Sequence, residues 1–108
     1  MPNRTASTDA PILDVLTERW STRIFDASAP IDEQALASAL EAARWSPSAS
    51  NTQPWRFIVA RRGTASHASV VDTLMGFNRA WAADAAALVV FVATTQQDGK
   101  ELRWAAYD

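Results

Sequence analysis

The stretch Ser46-Pro47-Ser48-Ala49-Ser50-Asn51-Thr52-Gln53-Pro54-Trp55-Arg56-Phe57 carries more hydrogen-bonding chemistry than its place in the chain requires. It joins a helical pattern to an apolar strand pattern. Two to six ordinary turn residues can make such a joint. This one is longer, rich in hydroxyls and carboxamides, and stiffened at both ends by proline. Read from the residues alone, it is either an Asx/Ser turn that satisfies its own backbone or a rigid binding loop.

A second cluster lies upstream at Arg19-Trp20-Ser21-Thr22-Arg23. If that segment stays helical, the two guanidiniums share a face. If it unwinds, backbone N–H groups become available beside them. Either arrangement suits a phosphate, which guanidinium groups hold by charge-assisted, bidentate hydrogen bonds. The plainer alternative is two exposed arginines.

Other chemistries find little material. The 108 residues contain no cysteine and one histidine. A disulfide scaffold and a Cys nucleophile are therefore absent, and a His-based triad or metal cluster has little to build on. No metal ligands are expected. His67, in a polar run after Gly63, reads as a solvated surface side chain. Net charge is −2, and the nine arginines and Lys100 are spread along the chain, Arg61-Arg62 excepted. There is no basic stripe for nucleic acid. The longest apolar run, 85–93, is too short to cross a bilayer. Residues 1–11 show no secretory signal, so the cytoplasm is the expected compartment.

The elements that must position the two clusters belong to a single domain. Residues 1–10 are expected as a flexible tail and 11–108 as the domain. Asp9 is a plausible cap for a first helix over Pro11–Arg19, with Ile12, Leu13, Leu16 and Trp20 at helical spacing. Asp26–Pro30 is a turn. Asp32 caps a second helix, with Ile31 and Leu36 placed as a hydrophobic staple. Leu36, Ala39, Leu40 and Ala43 line one of its faces, and Pro47 ends it. Trp55–Ala60 is a strand and Arg61-Arg62-Gly63 the turn after it. Thr64 or Ser66 caps a third helix running through Leu74 and Met75 to Gly76. Ala86–Ala93, continuously apolar, reads as a strand buried on both faces. A polar turn over 94–100 and the start of another helix at Glu101 follow.

In order and spacing, Pro47-Ser48, Asn51 and Gln53-Pro54-Trp55, preceded by Arg19-Trp20-Ser21-Thr22-Arg23-Ile24-Phe25, resemble the FMN-dependent nitroreductase family. A further match is Asn78, with Phe77 just before it and Asp84-Ala85 six residues on; a helix C-cap is the local alternative for Asn78. The resemblance runs from about Pro11 to Asp108. It implies an α+β fold, the three-layer α-β-α sandwich of that family, represented by an incomplete N-terminal portion. It implies FMN as cofactor and NADH or NADPH as hydride donor. Arg19, Ser21 and Arg23 would hold the ribityl phosphate. Pro47, Ser48, Ala49 and Asn51 would form the flavin-site loop, approaching the flavin of a partner in a homodimer. Asn78 would hydrogen-bond the flavin ring. Trp20 and Trp81 stand where some relatives carry a basic or polar residue.

The implied activity is passage of hydride from NAD(P)H through FMN to a nitroaromatic, quinone or similar small acceptor. Dehalogenation of aromatic substrates and flavin modification use the same motifs. Relatives carry further strands, a dimer helix and a late basic phosphate contact that do not map onto these residues, so a fragment is expected. The competing expectation is a truncated, non-catalytic chain that at most dimerises or binds flavin or an anion weakly.

Overall fold

A computed structural model describes residues 4–104. Chain order is α1 (Asp14–Glu18), α2 (Glu33–Arg44), a 3-10 turn (Ala49–Asn51), β1 (Trp55–Arg61), α3 (Ala65–Thr73), α4 (Gly76–Ala82), β2 (Ala87–Ala93), β3 (Gln96–Gln97) and β4 (Lys100–Glu101). The architecture is mixed α+β. The central element is an antiparallel β1–β2 pair in register from Trp55↔Ala93 to Arg61↔Ala87. β3 and β4 form a separate small hairpin.

α2 forms as its sequence dictates. The Asp32 carboxylate accepts the N–H groups of Gln34 and Ala35, each at 3.0 Å. These are two of the donors a helix start leaves unpaired. Glu33 then reaches Arg61 at the far end of β1 through two hydrogen bonds of 2.6 and 2.8 Å. That exposed ion pair links the start of α2 to the end of β1. From Trp55 to Val59, β1 alternates between half-buried and exposed side chains, and Ala60, on the otherwise exposed side, is fully buried. Phe57 and Phe91 meet edge-to-face across the two strands, with centroids 5.2 Å apart.

Several elements depart from the sequence expectation. The first helix is five residues long instead of spanning Pro11–Arg19, and it has no side-chain cap. Leu13 and Arg19, at its two ends, are both extended. So short a helix buries none of its residues, and its apolar spacing alone does not lengthen it. Within the exposed segment 4–10, the Arg4 guanidinium lies over the Trp20 ring. Ala6 donates its N–H to the Thr17 carbonyl at 2.8 Å. Thr64 caps α3, accepting from the His67 N–H at 3.3 Å. α3 stops at Thr73, where Leu74 turns extended, and a separate α4 begins at Gly76. β2 is half-buried from Ala87 to Val90 and exposed from Phe91 to Ala93, not buried on both faces. Among the described residues β2 has β1 as its one strand partner, and too little packs over its second half to cover Phe91 to Ala93. Glu101 lies in β4, not in a helix; the rest of that expected helix lies largely outside the described residues.

His67 is buried, not solvated. The Arg61-Arg62-Gly63 turn sends the chain back so that α3 packs against β1 and β2. His67 is therefore carried inward. The core is thin: among the described residues, the buried hydrophobic side chains are Ala60, Ala82 and Ala85. Ile24, Trp45, Met75, Phe77 and Phe91 are exposed. The radius of gyration is 17.0 Å, whereas a close-packed chain of this size has about 13 Å.

Candidate functional site

The upstream cluster takes the unwound alternative. Arg19 leaves α1 with φ −67° and ψ 134°, and residues 19–25 lie outside any helix or strand. Among the described residues, no backbone N–H from Trp20 to Phe25 donates to another group, and the side chains of Arg19 and Ser21 make no hydrogen bond or ion pair. The Arg23 guanidinium stands over the Phe77 ring, 5.8 Å from its centroid. Arg19, Ser21 and Arg23 lie in this irregular stretch beside backbone N–H groups that donate to nothing among the described residues. That donor set fits a phosphate.

What holds this open stretch is the turn behind it. Asp26 accepts from the Ser28 hydroxyl at 2.6 Å and the Ser28 N–H at 2.9 Å, and these bonds hold its carboxyl below the usual range. Arg62 braces the same turn. Its guanidinium donates to the carbonyls of Asp84 (2.6 Å), Asp26 (3.4 Å) and Ala29. Read as part of a polar turn, Arg62 gives no hint of this. The return of β2 beside β1 carries the Asp84 carbonyl within its reach, and the 26–30 turn lies on its other side.

Asn78 is the third residue of α4 and caps no helix end. Its carboxamide makes no hydrogen bond among the described residues. It lines a cavity of about 410 Å³ together with Phe25, Val70, Trp81 and Val89. Phe25 and Trp81 stack, with centroids 6.1 Å apart. The indole Nε1 of Trp81 is buried without an acceptor among the described residues. The Phe25–Trp81 and Arg23–Phe77 contacts lay the 19–25 stretch along α4, so Arg23 and Asn78 are brought to one region. Both families of contact are compatible with a ligand that has an anionic tail and a planar, hydrogen-bonding ring.

The Ser46–Phe57 loop sits at the other end of the strand pair, before Trp55. It does satisfy its own backbone: Asn51 N–H donates to the Ser48 carbonyl (3.0 Å), Thr52 N–H to Ala49 (3.1 Å) and Gln53 N–H to the Ser48 hydroxyl (3.1 Å). The Gln53 carboxamide donates to Asn51 Oδ1 at 3.1 Å. That leaves the Asn51 amide donors unspent. The loop also holds Ser50, Asn51 and Gln53 at φ of 52°, 53° and 48°. Each left-handed non-glycine residue costs about 1–2 kcal/mol. Three within four residues is more strain than a plain connection needs. Pro47, Ser48 and Ala49 border an open concavity. Within one chain no hydrogen bond or ion pair joins this loop to Arg19, Ser21, Arg23 or Asn78 among the described residues. The structure brings two of the three expected groups together and holds the third apart.

Beyond these groups, α2 ends in a tight polar cluster. Glu41 accepts from Arg44 at 2.7 and 2.9 Å and from the Trp45 indole at 2.8 Å. These bonds, the Arg44 one foremost, hold its carboxyl down at about 2. Trp45 remains exposed at the helix end. Among the described residues there is no group of three or more His, Cys, Asp or Glu side chains able to hold a metal. No helix of the described residues is long and apolar enough to cross a membrane.

Comparison with known proteins bears on what this arrangement serves. The profile of the Nitroreductase family matches residues 16–107. The "Oxygen-insensitive NAD(P)H nitroreductase" of Enterobacter cloacae is 37% identical over 89 residues, covering 81% of this chain and 41% of the relative. The "Major NAD(P)H-flavin oxidoreductase" of Aliivibrio fischeri is 43% identical over 49 residues, 45% of this chain and 22% of the relative. A crystal structure described as an oxidoreductase containing FMN superposes with a TM-score of 0.78 at 32% identity, covering 99% of this chain and 59% of that one. The chain spans about two fifths of the length of the Enterobacter cloacae relative.

Proposed function

Because the chain belongs to the nitroreductase family, we propose that it binds FMN and serves an NAD(P)H-dependent oxidoreductase acting on a nitroaromatic, quinone or similar small acceptor. The observation that carries this reading is the unwound stretch from Arg19 to Phe25. Two guanidiniums, a hydroxyl and a run of N–H groups are left unspent there, beside the helix that bears Asn78. The FMN-containing structural neighbour supports the same cofactor. When bound, FMN supplies the two-electron carrier between NADH or NADPH and the acceptor.

The residues of this chain bind and orient. Arg19, Ser21 and Arg23 hold the phosphate, with the adjacent N–H groups completing its shell. The Asn78 carboxamide, both donor and acceptor, fits the edge of a flavin ring. Pro47, Ser48, Ala49 and Asn51 are held apart from these groups, which supports a homodimer in which each loop serves the flavin of the partner. The exposed Ile24, Met75 and Phe77 support burial against further protein. A cytoplasmic location is part of this proposal.

A second reading has the chain bind flavin without turnover. The thin alanine core favours it, because catalysis requires groups held within fractions of an ångström. The experiment is a flavin titration followed by fluorescence, with wild type, Arg23→Ala and Asn51→Ala. Saturable FMN binding weakened about tenfold by Arg23→Ala, with hydride transfer from NAD(P)H, supports the enzyme. Saturable binding without transfer supports the second reading. A folded chain that shows no saturable FMN binding overturns both.

A further inference from the structure

The N-terminal segment contributes a cation that the motif itself lacks. The Arg4 guanidinium lies over the Trp20 ring, 3.9 Å from its centroid. The hydrogen bond from Ala6 N–H to the Thr17 carbonyl pins the intervening chain along α1. Arg4 makes no other hydrogen bond or ion pair among the described residues. Its N–H donors are therefore uncommitted among the described residues, as are those of Arg19 and Arg23. Trp20 stands between Arg19 and Ser21, so whatever stacks on its ring is delivered to the phosphate-holding stretch.

We propose that Arg4, stacked on Trp20, is a third cationic residue of the phosphomonoester site. The inference rests on the reading of that stretch as a phosphate site. An indole is the best side-chain platform for a guanidinium. Held on the Trp20 ring, Arg4 acts as a nearby charge and leaves the hydrogen bonds to Arg19, Ser21 and Arg23. A unit charge about 10 Å from a phosphate dianion in a solvated setting changes affinity about threefold at low ionic strength, and salt screens it. Trp20 is a positioning residue in this scheme: it fixes where the Arg4 charge sits.

The test compares FMN with riboflavin, which lacks the phosphate, by fluorescence titration of the full chain at low and high salt. Arg4→Gln is expected to weaken FMN binding about threefold at low salt, to leave riboflavin unchanged, and to lose its effect near 0.5 M salt as screening sets in. Trp20→Leu should show the same selective loss, and the double variant should be no worse than either alone. Arg4→Lys keeps the charge and should keep most of the affinity. Three results overturn the proposal. Unchanged FMN affinity in Arg4→Gln, alongside weakened binding in Arg23→Ala, removes Arg4 and leaves the phosphate site standing. Equal loss of FMN and riboflavin assigns Arg4 a structural role. Equal wild-type affinity for FMN and riboflavin removes the phosphate site and Arg4 with it.

Discussion

Arg62→Leu tests the claim that one arginine holds the turn behind the Arg19–Phe25 stretch in place. The substitution keeps an apolar stem and removes the guanidinium. Two of its hydrogen bonds, to Asp84 and Ala29, are short, and the third, to Asp26, is long at 3.4 Å. A hydrogen bond from a charged donor contributes about 1.5–3 kcal/mol net. Counting the two short bonds at the low end gives about 3 kcal/mol. Water can reach carbonyls at the edge of the turn, which reduces the loss to about 2 kcal/mol. That is a large share of the 5–15 kcal/mol typical of a small domain. The assay is urea unfolding with the slope held in common across variants. Neighbouring Arg61→Gln is the internal reference, because its ion pair with Glu33 is exposed on both sides and exposed pairs contribute little. Arg62→Lys should rescue only part of the loss, since one ammonium cannot fork across three carbonyls. The reasoning is refuted if Arg62→Leu costs no more than Arg61→Gln, or if lysine restores full stability.

Two further outcomes follow from local geometry. The Glu41 carboxyl, held down at about 2 from its ordinary 4.5 by Arg44 and then the Trp45 indole, stabilises the folded chain fully above about pH 4.5, and this contribution is lost as pH falls toward 2. The Trp45 indole N–H resonance should titrate with a midpoint near 2, and Glu41→Gln should abolish that transition; a midpoint at the ordinary 4.5 would refute the pairing. Ser50, at φ 52°, separates strain from contact: Ser50→Val should destabilise by about 1 kcal/mol or more, while Ser50→Gly stays within about 0.5 kcal/mol of wild type. Unfolding midpoints of the two variants check this, and equal losses would show that the left-handed conformation is not what matters there.

The parts legible in the sequence are those governed by near neighbours. Asp32 caps α2 because its carboxylate meets amides two and three residues on, a local geometry that needs no distant partner. Trp55 to Ala60 is a strand because aromatic and β-branched side chains favour that backbone. The spacing of Pro47, Ser48, Asn51, Gln53 and Pro54 and of Arg19, Ser21 and Arg23 identified the family, since motif order survives without any knowledge of packing. Local patterns misled where they were weak. The apolar spacing after Pro11 predicts a helix through Arg19, yet only five residues form one, without a cap or a buried face to sustain more.

Residue types and spacing by themselves determined the family, the two donor-rich segments and the absence of thiol chemistry. Tertiary structure alone decided three things. It buried His67, because α3 folds back onto β1. It turned Arg62 from a turn residue into the brace of the 26–30 turn, because β2 returns beside β1 and carries Asp84 within reach. It separated the Ser46–Phe57 loop from Arg23 and Asn78, because they attach to opposite ends of the strand pair. Each depends on how whole elements are placed in space, and local periodicity carries no information about that placement.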